Sequence, residues 1–201
     1  MTNSAAWVII YIDILRGRVK LRYNKTITLK NGAECVLRNG TESDGGAALE
    51  NFNLTHAETD FLLSYPDENS LTAEDEAEYL RKKENSPDEI EIVAVVGGKI
   101  AGTAGIDAVG RNYKLRRRAE FGVAVAKEFW GLGIGRALTA ACIECAKSAG
   151  YAQLELNVAA DNKSAVSLYK SLGFTEYGRN PKGFDSRLSG WQELVYMRLE
   201  L

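Results

Sequence analysis

Three glycines spaced by two, Gly131, Gly133 and Gly135, alternate with Leu132 and Ile134 and run straight into Arg136. An apolar helical pattern follows in "ALTAACIECAK". A strand, a glycine-rich turn and a helix start together make an anion site. The first helical turn carries unpaired N–H groups and the positive end of the helix dipole. Glycines let the backbone close on a bulky phosphate and adopt positive φ. Arg136 adds a full charge and a fork of donors. The chemistry on offer is a cradle for a phosphate or pyrophosphate.

The nucleotide P-loop is excluded, because no lysine follows Gly135 and Arg136-Ala137 offers no magnesium-binding hydroxyl. The dinucleotide fingerprint G-x-G-x-x-G fails at its third glycine in "GLGIGRA", although Glu155 stands near the distance expected of a ribose-binding carboxylate. Cys142 and Cys145 mimic a redox or zinc half-site, but their spacing falls inside a helix and favours buried cysteines. His56 is the only histidine, which argues against a histidine-based triad or a metal cluster. The basic run "RNYKLRRR" at 111–118 reads as a solvated loop between strands, with an acidic substrate, or docking on a ribosomal or nucleic-acid surface, as its functional alternative.

These residues need elements to position them. "KTITLKNGAECVLRNG" predicts two strands around Asn31-Gly32, and "ESDGGAALENFNLTHAETDFL" a helix beginning near Asp44. "LTAEDEAEYLRKKE" predicts a second helix, capped by Thr72 with Asp75 three residues on. "EIEIVAVVGGKIAGTAGI" is a hairpin, and "RRAEFGVAVAKE" a strand leading to the glycine loop and a helix to about Ala149. "AQLELNV" predicts a strand, "NKSAVSLYKSLG" a helix and "WQELVYMRLEL" a closing strand. The order implies an α/β or α+β layer fold, with a mostly antiparallel mixed sheet and one late parallel step.

With 201 residues, one domain of residues 26–201 is expected, behind an N-terminal extension of 1–25. "WVIIYIDIL" is too short to span a bilayer and lacks the charged start and cleavage site of a signal peptide, so it predicts an extra strand. The 25 basic and 27 acidic residues leave a net charge of -2, which argues against a dedicated nucleic-acid binder. Three cysteines, an odd count, fit a reducing cytoplasm better than a disulfide scaffold.

"VAVAKEFWGLGIGRAL" resembles motif A of the GCN5-related N-acetyltransferases, the GNAT family, and "DNKSAVSLYKSLGF" resembles motif B. Asn162, Ala165, Leu168, Tyr169, Gly173 and Phe174 match every named position of motif B. Trp130 departs from the usual Gln or Arg of motif A. The resemblance covers roughly residue 34 to the end. It implies a sheet flanked by helices, with a splayed pair of strands at the CoA site. It implies acetyl-CoA as cosubstrate, no metal, and direct transfer to an amine in a ternary complex. The acceptor would be a small molecule or a protein N-terminus, with no nucleic-acid or membrane partner; family members often form homodimers.

The resemblance also implies roles. Trp130, Gly131, Leu132, Gly133, Ile134, Gly135 and Arg136 would hold the CoA pyrophosphate. Val123, Ala124 and Val125 would place the thioester by their backbone groups, and an N–H near Val125 would polarise its carbonyl. Asn162 would bind the pantetheine arm or cap its helix. Tyr169 would protonate the departing thiolate, and Glu120 is the candidate base, with a water relay as its alternative. Phe61, Tyr65 and Glu68 would line the amine pocket. Two other readings remain open on the sequence: a CoA-binding sensor without turnover, and an NAD(P)-dependent oxidoreductase that uses Glu155.

Overall fold

Alternating apolar residues along 90–125 build the centre of one mixed sheet. The computed structural model describes residues 7–13 and 18–201. In chain order the elements are β1 (Trp7–Asp13), β2 (Arg18–Thr28), β3 (Glu34–Asn39), α1 (Gly45–Glu58), α2 (Ala73–Glu84), β4 (Ile90–Val96), β5 (Lys99–Ala108), β6 (Arg118–Val125), α3 (Ile134–Ser148), β7 (Gln153–Ala159), α4 (Lys163–Ser171), β8 (Thr175–Ser186) and β9 (Gly190–Glu200). The strands lie in the order β1-β2-β3-β4-β5-β6-β7-β9-β8. Among the described residues only β6 and β7 pair in parallel, which is the late parallel step the sequence implies.

One sheet face carries Ile90, Ile92, Ile106, Phe121, Leu154 and Met197 into the main core. Helix α3 meets this face with Ile134, Leu138, Cys142 and Cys145, all buried. Burying a side chain of this size contributes about 2 kcal/mol. The cysteines are therefore core residues, and burial raises both thiol pKa values, so neither is reactive. Helices α1 and α2 pack against each other and against β5 and β4 respectively. Gly45 permits that packing, since a Cβ there would stand 2.7 Å from the Ala73 carbonyl. The capping box of Thr72 and Asp75 forms as expected: the Asp75 N–H donates to Thr72 Oγ1 at 3.1 Å.

The structure departs from the sequence expectations in three places. Strand β2 runs unbroken through residue 25, so the expected domain boundary falls inside a strand. Helix α1 ends at Glu58, where Thr59 turns to extended backbone at φ -146, and "DFL" lies in a loop. Strand β8 was not anticipated. It holds Pro181, charged residues and two register shifts, features suited to an edge strand and poor in apolar alternation.

Candidate active site

Strands β6 and β7 pair only where Arg118–Glu120 meet Gln153–Glu155; beyond Glu120 they part. The Arg118 carbonyl accepts from Val109 N–H, and Ala126 N–H donates to the Ala101 carbonyl at 2.9 Å. Even-numbered residues of β6 therefore turn their backbone groups to β5. By alternation, Phe121, Val123 and Val125 turn theirs into the gap. A cavity of about 790 Å³ fills that gap, reaching both sheet faces. Gly122 and Ala124 line it through their Cα positions on the α1 face.

The glycine loop closes one end. Gly131 and Gly133 have φ of 76° and 102°, a left-handed backbone that side chains disfavour. Gly133 is the N-cap of α3, and no side chain caps it, so the N–H groups of the first turn face the cavity. Ile134 and Gly135 also line the cavity, whereas the Leu132 side chain packs against the core. Arg136 lines the cavity and donates to Ser171 Oγ at 2.5 Å, which ties α3 to α4. Lys30 adds a second exposed cation from the β2–β3 turn. Its N–H donates to the Leu132 carbonyl at 3.3 Å. Nothing local in the sequence marks Lys30, which is about a hundred residues from the loop it faces. Donors, dipole and cations fit a pyrophosphate.

Trp130 lines the cavity, half exposed, and its indole N–H donates to the Val125 carbonyl at 2.6 Å. Asn162 caps α4, accepting from Ala165 N–H at 3.1 Å, and also lines the cavity. Both roles expected of it are thus compatible. Tyr169 lines the cavity and packs edge-on to Phe121, with ring centroids 6.2 Å apart. Burial pushes its phenol up to about 12, so it stays protonated at neutral pH.

On the α1 side, Phe61 lines the cavity together with Thr55, Thr59, Leu63 and, from β7, Asn157. Tyr65 and Glu68 do not line it. They fasten the loop after α1 to the β8–β9 turn. The Tyr65 hydroxyl donates to Asp60 Oδ1 at 3.1 Å and accepts from Arg187 N–H at 2.8 Å. Glu68 accepts from Tyr65 N–H at 2.9 Å and pairs with Arg187 at 3.1 Å. Asp60 accepts from Ser186 and Ser189 hydroxyls, which hold its carboxyl below the usual range.

Glu120 is exposed on the α1 face and does not line the cavity. It stands between Asp107 and Glu155 in the strand register. Asp107 pairs with Lys83, and Glu155 accepts from Arg118 at 2.5 and 2.7 Å. Glu155 is buried mid-strand in this pair, away from the glycine loop, so it is not placed to hold a ribose there. His56 stacks on Phe52 within α1, ring centroids 3.8 Å apart. Among the described residues no cluster of His, Cys, Asp or Glu could hold a metal ion, and no helix is long and apolar enough to cross a membrane.

A model of the Acetyltransferase (GNAT) family matches residues 54–174, more than half of the chain. The chain belongs to the GNAT family. It is 30% identical over 139 residues to a mycothiol acetyltransferase of Pseudarthrobacter chlorophenolicus, covering 69% of this chain and 41% of the relative. The chain thus spans less than half the length of that curated relative. Among solved structures, a GNAT acetyltransferase from Streptococcus pneumoniae aligns with a TM-score of 0.80 at 27% identity, over 83% of this chain and 99% of the other. YncA from Salmonella typhimurium, solved with acetyl-CoA, aligns with a TM-score of 0.73 at 21% identity, over 83% and 94% of the two chains, a likeness of fold. The open mixed sheet flanked by helices is the GNAT architecture the sequence motifs implied.

Proposed function

We propose that this chain transfers the acetyl group of acetyl-CoA to a primary amine, carried by a small molecule or a protein N-terminus, while both are bound. One observation carries the reading. A single cavity runs from the Gly131–Arg136 cradle, past the free backbone of β6 and Tyr169, to Phe61 and Asn157 on the opposite sheet face. A site for one ligand alone has no need of the second mouth, which favours an enzyme over a CoA sensor.

Each part then has a task. The α3 N-terminus, Arg136 and Lys30 hold phosphates. The N–H and C=O of Val123 hold the extended pantetheine arm between the parted strands. The thioester supplies an activated acyl group. The Val125 N–H donates to its carbonyl oxygen as charge builds there, in a site partly closed to water. Holding amine and thioester together removes much of the entropic part of the barrier. Tyr169 donates to the departing sulfur. Its raised pKa makes it a hydrogen-bond donor that yields its proton late, as the thiolate develops. Glu120 gives the α1 face a negative charge without an ion-pair partner among the described residues, which attracts an ammonium group. Three free, buried cysteines support a cytoplasmic setting.

The test is thermal unfolding with acetyl-CoA, CoA and NAD(P), followed by thiol release from acetyl-CoA across a panel of amines. At about a hundred times its dissociation constant, a ligand adds roughly 2.7 kcal/mol of stability. Stabilisation by both CoA species, with amine-dependent thiol release, is the expected result. No shift with either would overturn the reading.

A further inference from the structure

The α1 face of the sheet carries two glycines side by side, Gly105 on β5 and Gly122 on β6. The strand register sets Glu91 on β4 directly beside Gly105. Cross-strand partners share a face, and their Cβ positions lie about 5 Å apart. A Cβ on Gly105 would collide with Glu91 Oε2, so the carboxylate occupies that place. A Cβ on Gly122 would meet nothing within 4 Å, and Gly122 lines the cavity. The two glycines therefore form a window. On one side is a carboxylate tucked under α2; on the other, about one water molecule away, is the cavity floor beside Val123 and Val125.

We propose that Glu91 takes the proton released by the acceptor ammonium, through a water molecule seated over Gly122. This rests on the acetyl-transfer reading and names a base for it. One N–H bond of the ammonium breaks and leaves its electron pair on nitrogen. The water accepts that proton and passes one of its own to Glu91. The neutral amine then uses its pair to attack the thioester carbon, the C–S bond breaks with its pair going to sulfur, and the second proton lost from nitrogen replaces the one Tyr169 gives to the thiolate. After turnover Glu91 returns its proton to solvent by the same route.

The surroundings suit the task. From α2, the Tyr79 hydroxyl donates to Glu91 Oε2 at 3.2 Å, and Lys83 and Glu76 lie nearby. Lys83 is held by the Ile106 carbonyl at 3.0 Å and by Asp107. From β5, the Thr103 hydroxyl and Asp107 face the same carboxylate, and Glu120 on β6 pairs with Asp107 in register. Cys142 of α3 lies beyond the sheet. Burial is the largest influence and pushes Glu91 up to about 7, against the opposing pulls of Lys83, Thr103 and Tyr79. A base is most effective when its pKa lies near the working pH.

The test is the pH dependence of kcat/KM with one amine acceptor, alongside the Kd of acetyl-CoA by calorimetry. The wild-type rate should rise with pH through about 7, as a base must be deprotonated. Glu91→Gln should lose that limb and about a hundredfold in rate at pH 8, with acetyl-CoA affinity unchanged. Glu120→Gln should keep the limb. Tyr79→Phe should shift it upward by about half a pH unit, because a donor to the carboxylate is lost. Should Glu91→Gln fold poorly, Gly122→Ala gives a second route: its methyl group displaces the water, so kcat falls while acetyl-CoA still binds. An unchanged limb in Glu91→Gln, or full activity in Gly122→Ala, would overturn the proposal alone. Absence of any turnover by the wild type would overturn the acetyl-transfer reading and this inference with it.

Discussion

A methyl group added at Gly133 and one added at Gly135 meet different physics. Gly133 sits at φ 102°, and alanine there would strain the turn that starts α3. Gly135 is already helical, and its Cβ would make ordinary contacts with Leu168 Cδ2 at 3.8 Å and Val125 Cγ2 at 4.0 Å. Gly133→Ala should therefore cost about 1–2 kcal/mol and weaken acetyl-CoA binding at least about tenfold. Gly135→Ala should gain up to about 1 kcal/mol through helix propensity. Denaturant melts and calorimetry on the two variants read both effects. Tyr169→Phe belongs to the same scale: kcat should drop about a hundredfold while the Kd of acetyl-CoA holds, and an equal loss in both would make Tyr169 a packing residue only. The residues legible in the sequence, from Gly131 to Arg136 and then Asn162 and Tyr169, are those whose role is written in local spacing. Lys30, Asn157 and Leu63 reach the same cavity from distant elements, and no spacing announces them.

The element that the sequence concealed is also the one that fastens the loop after α1. Strand β8 lacks apolar alternation, carries Pro181 and, among the described residues, pairs with β9 alone, so nothing in its pattern distinguishes it from a loop. Its turn into β9 nevertheless anchors the loop after α1 through Asp60, Tyr65 and Arg187. Tyr65 and Glu68, which the family resemblance implied would line the amine pocket, serve this frame and do not line the cavity. Asp60→Asn should loosen this strap. The expected result is a KM for the amine raised about tenfold, with acetyl-CoA affinity unchanged, since the cradle lies on other elements. A matching loss of acetyl-CoA affinity would mean that the strap holds the whole cavity.

The stability of the whole molecule should carry two opposite pH signatures. Arg38 donates twice to Asp44, at 2.7 and 2.8 Å, and holds its carboxyl down at about 2. That stabilisation is complete above about pH 4 and is lost as pH falls through about 2. Asp44→Asn should be less stable at pH 7 by about 2 kcal/mol, the gap closing near pH 2. Glu91 runs the other way, since its folded pKa is raised. The stability linked to its proton is complete below about pH 4 and drains away as pH rises through about 7. Glu91→Gln should therefore melt above the wild type at pH 8 and beside it at pH 4, which a pH series of melting curves checks. Most elements other than β8 were legible because they follow hydrophobic alternation and glycine turns. The parting of β6 and β7 was implied by the family resemblance alone, since no residue pattern in either strand records where they stop pairing. The two ends of the cavity also draw largely on different stretches of chain: one on Val123–Arg136 and Asn162–Tyr169 with Lys30, the other on Thr55–Leu63 and Asn157, with the loop fastened at Ser186–Ser189. Under the proposed acetyl transfer, exchange of the second set would leave the CoA cradle intact while changing which amine is received, so the two ends of the cavity would evolve as independent modules.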